Sequence, residues 1–166
     1  VPVATLLLSG IAVSQTLSAT MSIIMILNKQ SMDQIMFWTM GSLNGKGWGQ
    51  IITVLPYSLL GIALLLTTCR ELDIMLTGEE TAIQLGVNVE SLKKRVLFAS
   101  TVITAAVISV TGIIGFVGLV VPHVVRMITG PKHRVLMPLS LLFGGTFLII
   151  CDTAARSMAV WEIPVG

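Results

Sequence analysis

Fifteen uncharged residues, TGIIGFVGLVVPHVV at 111–125, end in Arg126, and this stretch limits the possible folds more than any other. It is apolar enough for a bilayer, yet Gly112, Gly115, Gly118 and Pro122 interrupt it. Glycine leaves the backbone unrestrained, and proline lacks the N–H that an interior helical turn uses. These four residues are expected to break the segment into a hairpin rather than allow one straight helix. Basic clusters flank it, Lys93-Lys94-Arg95 before and Lys132-His133-Arg134 after. Lys and Arg are retained on the cytoplasmic face of membranes. Two basic flanks therefore predict a chain that enters the bilayer and returns to the same side, as in a transporter or channel.

Composition points the same way. Hydrophobic residues make up 54% of the chain, charged residues 11%, and the mean hydropathy is +0.94. Soluble domains carry about a quarter charged residues. The expected fold is all-α, a polytopic transmembrane helical bundle. The net charge of +2 is small, and no basic or acidic tail points to nucleic acid. Cys69 and Cys151 both fall in apolar runs and read as small buried hydrophobes. The chain opens with Val1 and stops at Gly166, and both ends are expected to be cuts in a longer polypeptide.

Five spans are expected, at 3–27, 51–69, 96–111, 113–129 and 135–157, since about 20 helical residues cross the hydrocarbon core. The first is dense in small residues, including Ser14, Ser18 and Ser22 on one helical stripe. Small side chains let membrane helices approach closely, so this helix should contact protein or line a pathway. Residues 28–50 are polar and carry Gly41, Gly45, Gly47 and Gly49, with a short interfacial helix expected around Met36, Phe37 and Trp38. The uncharged run 96–125 has room for two spans only if the second is short, and a re-entrant hairpin satisfies the same charges. With the loop at 70–95 cytoplasmic, that side holds Arg70, Lys93, Lys94, Arg95, Arg126, Lys132 and Arg134, while the other side holds Lys29, Lys46 and Arg156.

The loop at 70–92 has helical punctuation of its own. Thr77 and Glu80 have capping-box spacing, Gly86 is placed as a helix stop, and Asn88 can cap the following helix. Five of the chain's eight acidic residues lie here: Glu71, Asp73, Glu79, Glu80 and Glu90. The cytoplasmic leaflet is negative, so an acidic helix suits a protein partner better than lipid. The alternatives are a docking helix and a merely solvated, capped turn. No Walker A loop or hydrolase motif occurs, which argues against an enzyme. His123 has no neighbouring ligand in sequence, no metal site is expected, and His133 reads as solvated.

These residues resemble the FecCD family. GIIGFVGLVVPHVVR, preceded by LTGEETAIQLGVN and followed by PKHRVLMPLS, carries the likeness, with MFWTMGSLNGKGW, DTAAR and EIPVG supporting it. Members are permease subunits of ABC importers for iron-siderophores, heme and vitamin B12, with ten membrane helices in about twice this length. The resemblance implies that this chain runs from the fifth helix to just after the ninth. It implies a bacterial inner-membrane protein that pairs with a second permease subunit, homo- or heterodimeric, among membrane lipid. Two cytoplasmic ABC ATPases would supply the ATP hydrolysis, this chain binding no cofactor itself, and an extracytoplasmic binding protein would deliver the substrate. The family's coupling helix would fall on Gly78, Glu79, Glu80, Ala82, Leu85 and Gly86. Arg156, with Asp152 four residues before it, would dock the binding protein; an intrahelical ion pair is the alternative reading, and both roles can hold together because Asp152 can orient Arg156. Ser14, Ser18, Ser22, Gly41 and Ser42 would lie along the translocation path. Two other readings stand beside this one: a metal-ion ABC importer permease, and a membrane assembly subunit that does not transport.

Overall fold

A computed structural model describes residues 3–28, 32–43 and 45–158. Seven helices follow in order: α1 (Val3–Leu27), α2 (Met32–Thr39), α3 (Trp48–Met75), α4 (Glu79–Gln84), α5 (Val89–Thr111), α6 (Val117–Thr129) and α7 (His133–Met158). Four of them, α1, α3, α5 and α7, are long and apolar enough to cross a membrane, and α6 is a shorter apolar helix. The described part of the chain is therefore a helical membrane bundle, as composition required.

The first unit holds α1 and α2, which pack on each other. Hydroxyls of this unit fold back onto helical carbonyls, among them Thr16 onto Ala12 and Ser22 onto Ser18. Such bonds satisfy a hydroxyl inside its own helix where no water is at hand. The second unit, 40–166, is built on α3 packed along α5, with α6 against α7 and α7 against α3. Gly61 on α3 marks a close approach: a Cβ there would run into the side chain of Ile103 on α5. Val121 and Val125 of α6 close on Leu136 of α7 in a small core.

Helix ends depart from the expected spans for identifiable reasons. α3 starts at Trp48, where the Gln50 side chain accepts the Gly47 N–H at 2.9 Å. It continues to Met75 rather than stopping at 69, because no breaker occurs between Arg70 and Met75. The expected capping box does not form. Thr77 instead donates its hydroxyl to the Ile74 carbonyl at 2.7 Å, and Gly78 takes the N-cap place of α4. Asn88 does cap α5, accepting the Ser91 N–H at 3.0 Å.

The glycine-rich stretch divides differently from expectation. Gly112 ends α5 with φ 73°, and the backbone stays non-helical through Gly115. Gly118 and Pro122, expected as breakers, both lie inside α6. A proline ring presses on the carbonyl four residues back. That carbonyl belongs to Gly118, whose backbone is free to tilt it aside. Phe116 precedes α6 at φ 61°, a conformation that costs a non-glycine residue about 1–2 kcal/mol. Its carbonyl accepts the N–H groups of both Leu119 and Val120, which starts the helix. With 13 residues, α6 is about 20 Å long, against a hydrocarbon core of about 30 Å. α6 is therefore too short to cross by itself as a straight helix.

Candidate functional site

One end of the second unit gathers the loop residues. Glu79 at the start of α4 receives Lys93 of α5 on both carboxylate oxygens, at 2.9 and 3.0 Å. Arg95 reaches back to Glu71 on α3 at 2.7 Å, and Lys94 pairs with Glu90 one turn away at 2.8 Å. The whole basic cluster is thus engaged by acids of the same end. Asp73 is engaged as well. Its Oδ1 accepts the backbone N–H of His133 at 2.6 Å and lies 2.9 Å from His133 Nδ1. This carboxylate from α3 caps the first turn of α7, where helical amides lack partners of their own. His133 is consequently half-buried and held, not solvated as expected. Of the five loop acids, only Glu80 has neither an ion pair nor a bond to His133 among the described residues.

The motif from Gly78 to Gly86 separates into scaffold and surface. Gly78 has φ 113°, a backbone region that essentially only glycine enters. Ala82 is fully buried, packed with Val87, Val89 and Leu92 against the ends of α3 and α5. Gly86 has φ 83° and closes the helix. The Gly86 N–H reaches Ile83 at 2.9 Å and the Val87 N–H reaches Ala82 at 3.0 Å, the paired bonds of a Schellman stop. Gly78, Ala82 and Gly86, expected as contacts for a motor, therefore build α4, and Glu79 ties it to α5. Glu80, Ile83 and Leu85 are exposed, Ile83 by 58% and Leu85 by 63%. The sequence motif does not single out Ile83. A signal for it exists all the same: Ile83 is displaced by about 100° around the helix from the buried Ala82, away from the face that packs.

The Glu79–Lys93 tie is exposed, and exposed pairs contribute about 0.2–1 kcal/mol. Glu79→Lys should speed hydrogen exchange of the α4 amides by about fivefold or less. Adding Lys93→Glu should restore the original rate. A double variant exchanging as fast as the single one would show that the pair does not hold α4.

The other expected site residues are dispersed. Ser14, Ser18 and Ser22 are exposed on one stripe of α1. Gly41, with φ 65°, is buried where a Cβ would strike the Ile113 carbonyl oxygen, and the Ser42 N–H donates to Thr111 at 2.8 Å. The Gly41–Ser42 pair thus seals the end of α5 and the start of the break. Asp152 and Arg156 form an intrahelical pair at 2.8 Å, with the arginine side chain 54% exposed. Among the described residues no group of three His, Cys, Asp or Glu side chains comes together as a metal site.

A polytopic helical bundle with most of its basic residues collected at one end is the architecture of a multi-pass membrane protein. The chain belongs to the FecCD transport family, whose profile matches residues 2–166. It is 47% identical over 165 residues to the cobalamin import system permease protein BtuC of Halobacterium salinarum, covering 99% of this chain and 44% of that one. It is 40% identical to the hemin transport system permease protein HmuU of Yersinia pestis, covering 98% of this chain and 49% of that one. A solved structure described as an inward-facing conformation of a metal-chelate type ABC transporter superposes with a TM-score of 0.92. The identity there is 32%, over 98% of this chain and 54% of the other. The chain spans about half the length of the curated relatives it matches.

Proposed function

We propose that this chain is the later half of an ABC importer permease that moves an iron-siderophore, heme or cobalamin-type chelate inward. ATP hydrolysis is done by a cytoplasmic partner. The observation carrying this reading is α4, a six-residue helix braced by a buried alanine and a lysine tie, with Glu80, Ile83 and Leu85 turned outward. A lone exposed isoleucine and leucine beside a carboxylate suit a cleft on a soluble protein better than the anionic leaflet. On this reading the end bearing α4 is cytoplasmic, and the protein sits in a bacterial inner membrane beside a second permease subunit. Arg156, oriented by Asp152, meets an extracytoplasmic binding protein. Ser14, Ser18, Ser22 and the Gly41–Ser42 turn border the substrate path. The chain itself needs no cofactor and performs no covalent chemistry. It alternates between two states whose balance the motor shifts.

The test is made in the full-length permease reconstituted with its ATPase. Ile83→Asp, on the exposed face of α4, should cut substrate-stimulated ATP hydrolysis by tenfold or more, on the order of the 1–3 kcal/mol typical of coupling between sites. Membrane insertion and thermal stability should be unchanged. Normal stimulation in this variant would rule out α4 as the transmitting element.

A further inference from the structure

We propose that Asp73 and His133 form a clasp that makes α7 move with α4, and that α7 carries the motor's stroke to the end of the molecule where Arg156 stands. The proposal rests on the reading of α4 as the element that meets the ATPase. In this role Asp73 and His133 are positioning residues, acting through the helices they join.

α4 is a rigid extension of the last turn of α3. Only residues 76–78 separate the two helices, and each N–H there bonds back onto that turn. Leu76 donates to Asp73 at 3.3 Å, Thr77 to Ile74 at 3.1 Å and Gly78 to Met75 at 3.1 Å. Buried Ala82 of α4 packs in one cluster with Leu72, Ile74 and Met75. A displacement of α4 is therefore felt first at 72–75, and Asp73 lies in that turn.

Asp73 passes the displacement to α7. Its Oδ1 takes both the N–H and the ring Nδ1 of His133, the first residue of α7, at 2.6 and 2.9 Å. The ring bond requires the proton on Nδ1. An ordinary cap comes from the residue just before the helix. Here that residue is Lys132, whose carbonyl accepts the Leu136 N–H at 2.9 Å but whose side chain holds no acceptor. The first turn of α7 is thus completed by a carboxylate 60 positions away, and only while the end of α3 stays beside it.

One turn deeper, Cys69 and Met137 meet at 3.5 Å. The two contacts step by four residues in opposite order, so α3 and α7 run antiparallel with their register fixed at this end. The clasp is better sheltered than the Glu79–Lys93 tie, its side chains being 27% and 16% exposed against 56% and 53%. Polar bonds strengthen as water is excluded, which makes the clasp the firmer of the two. From His133, α7 runs unbroken through Pro138 for 26 residues, about 39 Å, to Met158. One end of it is gripped beside α4, and the other bears Arg156.

The test uses the full-length permease with its ATPase in lipid nanodiscs. An environment-sensitive fluorophore is placed on Ser157→Cys as the only reactive thiol, in a Cys151→Ala background. ATP should change the emission of this parent protein. Asp73→Ala should shrink the change about fivefold, the lower end of coupling between sites, and leave hydrogen exchange of the α4 amides as it was. Asp73→Asn keeps an oxygen acceptor for both bonds and should respond fully. His133→Ala loses the ring bond alone and should reduce the response about twofold. These two variants decide the matter if Asp73→Ala does not fold. Ile83→Asp tests the underlying reading in the same assay and should silence the fluorophore. A full response in Ile83→Asp would mean that α4 does not transmit, and the clasp would fall with it. A silent Ile83→Asp beside full responses in Asp73→Ala and His133→Ala would remove the clasp and leave α4 in its role. Three other results would each overturn the clasp: no ATP response in the parent; Asp73→Asn as deficient as Asp73→Ala; or faster exchange of α4 in Asp73→Ala, which would place the defect in α4 itself.

Discussion

Gly41→Ala is expected to lower the stability of the full-length permease by about 3 kcal/mol or more, enough to remove most of the folded protein from the membrane. Two costs combine. At φ 65° any residue with a Cβ is disfavoured by about 1–2 kcal/mol. The new methyl would also run into the Ile113 carbonyl oxygen, a backbone atom that cannot rotate away. Relief requires the turn to lift off the end of α5, which breaks the 2.8 Å bond from the Ser42 N–H to Thr111. A broken bond of this kind costs about 1–3 kcal/mol where water is scarce. Gly45→Ala is the matched control, because Gly45 has φ 67° but nothing within 4 Å of where the alanine methyl would stand. It should show the conformational cost alone. Thermal midpoints from fluorescence-detected size exclusion would compare them, and equal shifts would mean that contact with Ile113 is irrelevant.

Ala82→Glu is the second substitution with a large expected effect. Ala82 has no exposed surface, and its neighbours Val87, Val89 and Leu92 offer no partner for a charge. An uncompensated buried charge costs about 3–5 kcal/mol, which far exceeds what a six-residue helix can retain by itself. The helix should detach from the ends of α3 and α5 while the long helices stay inserted. Protease cleavage within 77–88 from the α4 side should then rise sharply, and substrate-stimulated ATP hydrolysis should vanish. Ala82→Ser, nearly the same size, should keep most of both properties. Resistance to protease equal to the parent protein would mean that α4 is held by something other than this contact.

Much of this arrangement is legible in the sequence. Hydropathy locates every long helix, and the Asn88 cap and Gly86 stop follow from local chemistry that acts within a few residues. The capping box fails because Thr77 has a competing acceptor, the Ile74 carbonyl, once α3 runs on to Met75. Gly118 and Pro122 mislead when each is weighed singly, whereas together they form a compatible pair within α6. The pairing of Asp73 with His133 joins residues 60 positions apart and has no local signature. The same holds for the sorting of the loop acids, three of which pair with nearby cations. Composition counts charges, but only the fold decides which remain unpaired.

The interruption at 112–115 has a further consequence for how the polypeptide is made. Under the proposed topology, the peptide groups at 112–115 that lack helical partners cannot rest against hydrocarbon tails. During synthesis such a stretch must shelter in the insertion machinery or draw a small wedge of water into the bilayer until neighbouring protein closes over it. Assembly of the surrounding helices, rather than insertion of each one, then becomes the step that commits the molecule to its final form.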